Sequence, residues 1–144
     1  MENAIREVTC AIFEMMLGQT LEPAPGGVSE EASELVGVIR ISGAFEGVVR
    51  LGCSQRFARQ AAEIVFGESD APELAESVVA ELTNMAGGNL KALLAGPSKL
   101  SLPCVTSGAE AGQSPTGAGC LGAIEMRCGE EPIVVSLCAA PAGH

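Results

Sequence analysis

Two stretches of this chain leave little choice of fold. Residues 34 to 42 (ELVGVIRIS) and 45 to 53 (FEGVVRLGC) are rich in β-branched residues and meet at Ser42-Gly43-Ala44; residues 120 to 128 (CLGAIEMRC) and 132 to 139 (PIVVSLCA) repeat the arrangement about Gly129-Glu130. Runs of this length with a short glycine-bearing joint pair as antiparallel hairpins. A sheet built from hairpins has an apolar face that must be covered, and the remaining periodic segments are helices.

Residues 3 to 17 place Ile5, Val8, Ile12, Met15 and Met16 at helical spacing before Gly18. Ser54 reads as the N-cap of a helix running through Arg59, Ala62, Ile64 and Val65 to Gly67. Asp70, Pro72 and Glu73 open a longer helix over about 72 to 94, since proline is tolerated in a first turn and carboxylates suit that end of the helix dipole. The segments LEPAPGGVSEEAS and SGAEAGQSPTGAG read as loops. KLSLPCVT is strand-like, but Pro103 cannot donate a ladder hydrogen bond and demands an edge or a bulge. The order of helix, hairpin, helix, helix, strand, hairpin predicts a single α+β domain over 1–144, with a mainly antiparallel sheet packed against helices on one face. Two helix-then-hairpin halves are visible in that order alone, because their sequence identity is negligible.

At 144 residues the chain is long enough to bury a core without staples. That core must be aliphatic, since 47% of residues are apolar but only 3% are aromatic. A net charge of −10 with 8 basic residues argues against nucleic acid, where neutralised phosphates supply most of the affinity, and opposes an anionic membrane. No stretch approaches the roughly 18 apolar residues of a span. The N-terminus is amphipathic and carries Glu2, Arg6, Glu7 and Glu14 where an export signal would be apolar, so a cytoplasmic location is expected. Six cysteines without a C-x-x-C pair, and a lone terminal His144, give neither a zinc site nor a disulfide framework. The cysteines read as small buried hydrophobes.

At 100° per residue the long helix has two chemically different sides. Leu74, Val78, Leu82, Met85 and Leu93 share an arc that should meet the core, and Asn89 falls between Val78 and Leu82, which predicts an inward, hydrogen-bonded structural amide. Ser77, Glu81, Asn84 and Gly88 form a neighbouring stripe about three turns long, at spacings of four, three and four. A carboxylate and a carboxamide one turn apart could reach together into a partner's cleft, although such a pair on a helix is commonly only a solvated face. Gly87-Gly88 costs an exposed helix about 1 kcal/mol each against alanine, a cost that close packing or a partner's approach would explain.

Ser77-x-x-x-Glu81-x-x-Asn84, then Met85-Ala86-Gly87-Gly88-Asn89-Leu90-Lys91 and a downstream Pro103, resembles the signature of the CheC, CheX and FliY phosphatases. ISGAFEGVVRLGCSQRFARQAAEIVFGE before it is also similar to these proteins, so the likeness covers most of 34 to 106. The resemblance implies a two-layer CheC/CheX-like fold and dephosphorylation of the phospho-aspartate of a CheY-like receiver. It implies Glu81 as the carboxylate that pairs with a receiver lysine and Asn84 as the amide that orients the attacking water, with Ser77, Gly88 and Pro103 supporting or binding. No cofactor is implied for this chain; Mg²⁺ would belong to the receiver. A homodimer is implied by the same likeness. In the first helix, Glu7-Val8-Thr9-Cys10 has Cys where a second motif would have Asn, which favours the single-site CheX type. The interval from Asn84 to Pro103 is shorter than the family pattern, which leaves Pro103 as an edge or bulge proline. The readings set against a phosphatase are a non-catalytic module that docks on a receiver or other signalling protein, and an unrelated structural or dimerisation domain.

Overall fold

A computed structural model describes residues 1–24, 33–68, 70–111 and 119–139. The central parts of the two loops read from the sequence, 25–32 and 112–118, and His144 lie outside the described residues.

The elements run α1 (Glu2–Leu17), β1 (Glu22–Pro23), β2 (Leu35–Gly43), β3 (Gly47–Cys53), α2 (Gln55–Phe66), α3 (Pro72–Lys91), β4 (Ser98–Leu100), β5 (Cys104–Ser107), α4 (Gly108–Ala111), β6 (Cys120–Cys128) and β7 (Glu131–Ala139). Both expected hairpins form, β2 with β3 and β6 with β7, and every strand pairing is antiparallel. Among the described residues the strands make one seven-stranded sheet in the order β1-β6-β7-β3-β2-β4, with β5 also on β2. Ser54 caps α2 by accepting from the Phe57 amide at 3.0 Å, and Gly18 and Gly67 close α1 and α2 in the left-handed conformation that glycine adopts at least cost.

Side chains alternate across each strand, so Ile39, Ile41, Val49, Leu51, Ile124, Met126, Ile133, Val135 and Leu137 are buried on the helix side. They meet Ile5, Ile12, Phe13 and Leu17 of α1, Phe57 and Ala58 of α2, and Val78, Val79, Leu82, Ala86 and Leu90 of α3. Phe13 and Phe57 stack with centroids 5.6 Å apart and join α1 to α2.

The internal repeat that was legible only as element order is visible in the strand order at the centre of the sheet. The hairpins β6-β7 and β2-β3 lie back to back, joined by the antiparallel pairing of β7 with β3. A quasi-twofold therefore passes between β3 and β7. Each long helix crosses to the other half: α1 packs on β6 and α3 on β2 and β3.

Several expectations are corrected. Glu22–Pro23 lies on the edge strand β6 as a two-residue strand, too short to leave a periodic signal. The segment expected as one strand, KLSLPCVT, is two strands with Pro103 between them, and the start of the second loop is the short α4. The long helix ends at Lys91, three residues early, so Leu93 is 58% exposed. Asn89 is exposed as well, and its side-chain amide donates to the Met85 carbonyl at 2.8 Å. Asn89 stands at the margin of the buried side of α3, which runs through Ala75, Val79, Thr83, Ala86 and Leu90, and Leu93 lies beyond the end of the helix.

The cysteines are free; Cys53 and Cys128 are buried, Cys104 is exposed and the rest are intermediate. Burial, with help from the Glu34 carboxylate, pushes the Cys53 thiol from its ordinary 9.0 up to about 12. The folded state thus keeps a proton that the unfolded chain releases from about pH 9. The stability this contributes is whole below pH 9 and is lost as the pH rises towards 12, at up to about 1.4 kcal/mol per unit. Urea unfolding at pH 8 and pH 10 should show a lower midpoint at the higher pH, with a smaller drop in Cys53→Ala. Iodoacetamide should modify Cys104 in the native protein and Cys53 only after unfolding.

Candidate functional site

Two reciprocal close approaches hold α3 on the sheet. At Gly37 of β2 an added Cβ would overlap the Thr83 hydroxyl, and at Gly87 of α3 it would come within 2.8 Å of Ile39 Cγ2. Glycine inside a strand weakens the strand unless another element comes close, and here the helix does. Thr83 is buried, and its hydroxyl donates to the Val79 carbonyl at 2.7 Å, which leaves the methyl and oxygen to fill the space above Gly37. The side of α3 next to that seam is thereby fixed in height and rotation.

Ser77, Glu81, Asn84 and Gly88 share the outer side of the helix as the spacing requires. Ser77 and Glu81 are exposed, and Asn84 and Gly88 are partly buried. Among the described residues neither the Glu81 carboxylate nor the Asn84 amide is engaged by a hydrogen bond or an ion pair within the chain. Gly88 differs from Gly87: a Cβ there would meet only Leu100 Cδ1, at 3.9 Å, an ordinary contact. Close packing therefore accounts for Gly87, whereas nothing inside the chain demands glycine at 88, and the surface around Asn84 is left low and open. The C-terminal end of α3 is tied to the edge strand by Lys91, whose Nζ donates to the Ser98 carbonyl at 3.2 Å. Pro103 is not on α3 but on the edge of the sheet, between β4 and β5.

In α1, Thr9 repeats Thr83 in detail: it is buried and donates to the carbonyl four residues back, Ile5, at 2.7 Å. That equivalence makes Glu7 the counterpart of Glu81 and Cys10 the counterpart of Asn84. Cys10 is not presented as Asn84 is. Its Sγ lies 3.8 Å from Met126 Sδ, and burial raises its thiol pKa. The second half-site is a packing position.

The profile of the family described as "Chemotaxis phosphatase CheX" matches residues 35–124, well over half of the chain and the part that holds the stripe. The chain belongs to the CheX family. Solved structures agree on the fold. The chemotaxis protein CheX from Vibrio vulnificus is 19% identical with a TM-score of 0.74, covering 94% of this chain and 93% of that one. CheX from Desulfovibrio desulfuricans is 18% identical with a TM-score of 0.75 over 96% and 97%. The CheX of a CheX-CheY-BeF3-Mg complex from Borrelia burgdorferi is 16% identical with a TM-score of 0.72 over 96% and 97%. No curated protein sequence matches significantly. Among the described residues this CheX-family chain has no helix long and apolar enough to cross a membrane and no cluster of three metal-binding side chains.

The motif was readable before the structure; its support was not. Thr83 fell outside the arc read as core, about 100° round the wheel from Leu82, and Gly37 passed without comment, although a glycine inside a β-branched run signals close backbone approach. Gly37→Ala should cost about 1–3 kcal/mol through overpacking, read as a lower Tm. Gly37→Ala/Thr83→Ala should recover part of that loss, because the hydroxyl in conflict is gone. Simple additivity of the two changes would rule out the contact as the cause.

Proposed function

We propose that this chain hydrolyses the phospho-aspartate of a CheY-like receiver domain, with Glu81 docking and Asn84 positioning the water. The observation that carries the reading is the pair itself. A carboxylate and a carboxamide one turn apart on a rigid helix, unengaged within the chain, stand beside a glycine that leaves room for a partner. The family described as a chemotaxis phosphatase and the Borrelia burgdorferi CheX-CheY-BeF3-Mg complex support the choice of partner.

An acyl phosphate needs little covalent help; hydrolysis gains mainly from placing a water in line with the leaving carboxylate and from matching the charge of the transition state. A carboxamide suits the task because Oδ1 accepts from the water while Nδ2 donates to a phosphoryl oxygen. Glu81 supplies a negative charge for a receiver lysine, which orients the two proteins. The Mg²⁺ of the reaction belongs to the receiver, and a cytoplasmic receiver as substrate would put this chain in the cytoplasm with it. Ser77, four residues before Glu81 on the same side, borders the docking surface.

The decay of a phosphorylated cognate receiver in Mg²⁺ tests this. Wild type should accelerate it. Asn84→Ala should lower the maximal rate by about 10²-fold while the receiver still binds, and Glu81→Ala should weaken both rate and binding. Unchanged decay with wild type across the organism's receivers would leave a docking module as the better account. We further propose that the chain self-associates. From Cys120 to Glu125 the outer edge of β6 has no strand paired to it among the described residues, and an open edge is a template for a second chain. Sedimentation equilibrium should give twice the chain mass, and a concentration-independent monomer would contradict the dimer.

A further inference from the structure

The edge strand beside α3 carries one extra residue. Leu100 pairs with Ile41 and Cys104 with Val38, so four steps along this edge span three steps along β2. Leu102 and Pro103 together occupy the place opposite Ile39, which is a bulge of the two-against-one kind. It is firmly built. The Ser101 amide donates to the Arg40 carbonyl at 2.9 Å, the Arg40 amide donates to Ser101 Oγ at 2.9 Å, and that hydroxyl donates on to the Leu102 carbonyl at 3.0 Å. A serine side chain thus takes over a ladder acceptor at the point where the ladder breaks. Pro103 then restricts the residue before it to extended backbone.

What the bulge presents is Leu102, 89% exposed and the most exposed large hydrophobic residue described. A single exposed leucine needs no explanation in general. This one is placed by a rigid backbone device, and the placement is informative. Ile39, opposite the bulge, meets Gly87, and Leu100, two residues before Leu102, is the side chain nearest the open position at Gly88. The bulge therefore stands level with the turn of α3 that holds Asn84, Gly87 and Gly88, on the free edge of the sheet. The stripe itself offers a docking partner only polar groups and a glycine.

We propose that Leu102 is the apolar anchor of the receiver interface, a specificity-determining residue that contributes docking without touching the phosphoryl group. This rests on the receiver being the partner. An extruded side chain whose backbone is already fixed loses little entropy on binding, and burying a leucine against a partner supplies the apolar area that the polar stripe lacks.

Steady-state hydrolysis over a range of phosphorylated receiver concentrations should show KM about tenfold or more higher in Leu102→Ser, with kcat within twofold of wild type and Leu102→Met close to wild type. At this exposure the serine variant keeps its fold, which an unchanged Tm would verify. Titration with receiver activated by beryllofluoride and Mg²⁺ reads the same anchor without turnover. Weaker binding by Leu102→Ser supports it, even if wild type proves to bind without accelerating hydrolysis, an outcome that would sink only the phosphatase reading. Equal KM and equal affinity in wild type and Leu102→Ser would overturn the anchor, and failure of wild type to bind any receiver would overturn both.

Discussion

The seam between Thr83 and Gly37 is the constraint on which the rest of the site depends. A helix can carry Glu81 and Asn84 at the right spacing anywhere, but a water-positioning amide is useful only where its height and direction are fixed to a fraction of an ångström. Here the absence of a side chain on β2 lets α3 sit close, the threonine hydroxyl is satisfied within its own helix, and Gly87 accepts Ile39 from the other side of the same seam. Asn84 immediately follows the residue so clamped. The clamp and the exposed chemistry are adjacent in sequence and point about 100° apart round the helix, which is how one helix can be both core and tool.

The same logic explains why one half of a duplicated frame carries chemistry and the other does not. The quasi-twofold between β3 and β7 gives α1 and α3 equivalent roles, down to the buried threonine bonded to the carbonyl four residues back. Packing is retained in both halves. At the position that decides function, α3 offers a free carboxamide and α1 a thiol set against Met126. A thiol is a poor substitute, since it cannot accept from a water and donate to a phosphoryl oxygen with comparable strength.

Much of this was legible in the residues alone. The hairpins were readable because β-branched runs with glycine joints have few other solutions, and the stripe was readable because its four positions recur at helical spacing. What escaped notice shares a cause: it depends on where neighbouring elements lie. The wheel turned Asn89 inward because it centred the core on Leu74, Val78 and Met85, whereas the buried side runs through Val79, Thr83, Ala86 and Leu90, and it turned Leu93 inward because it carried the helix past Lys91. KLSLPCVT was recognised as needing an edge or a bulge at Pro103, and the register shows both, but which side chain the bulge would extrude follows only from counting partners along β2. Gly37 and Thr83 lie 46 positions apart, and nothing local in either stretch announces that they meet.

The most direct measurement is the structure of this chain bound to a beryllofluoride-activated CheY-like receiver with Mg²⁺. The account predicts α3 against the receiver's phosphorylation site, with the Asn84 carboxamide within hydrogen-bond distance of the in-line water position and Glu81 paired with a receiver lysine. A receiver docked on α1, or one that leaves Asn84 in solvent, would contradict it.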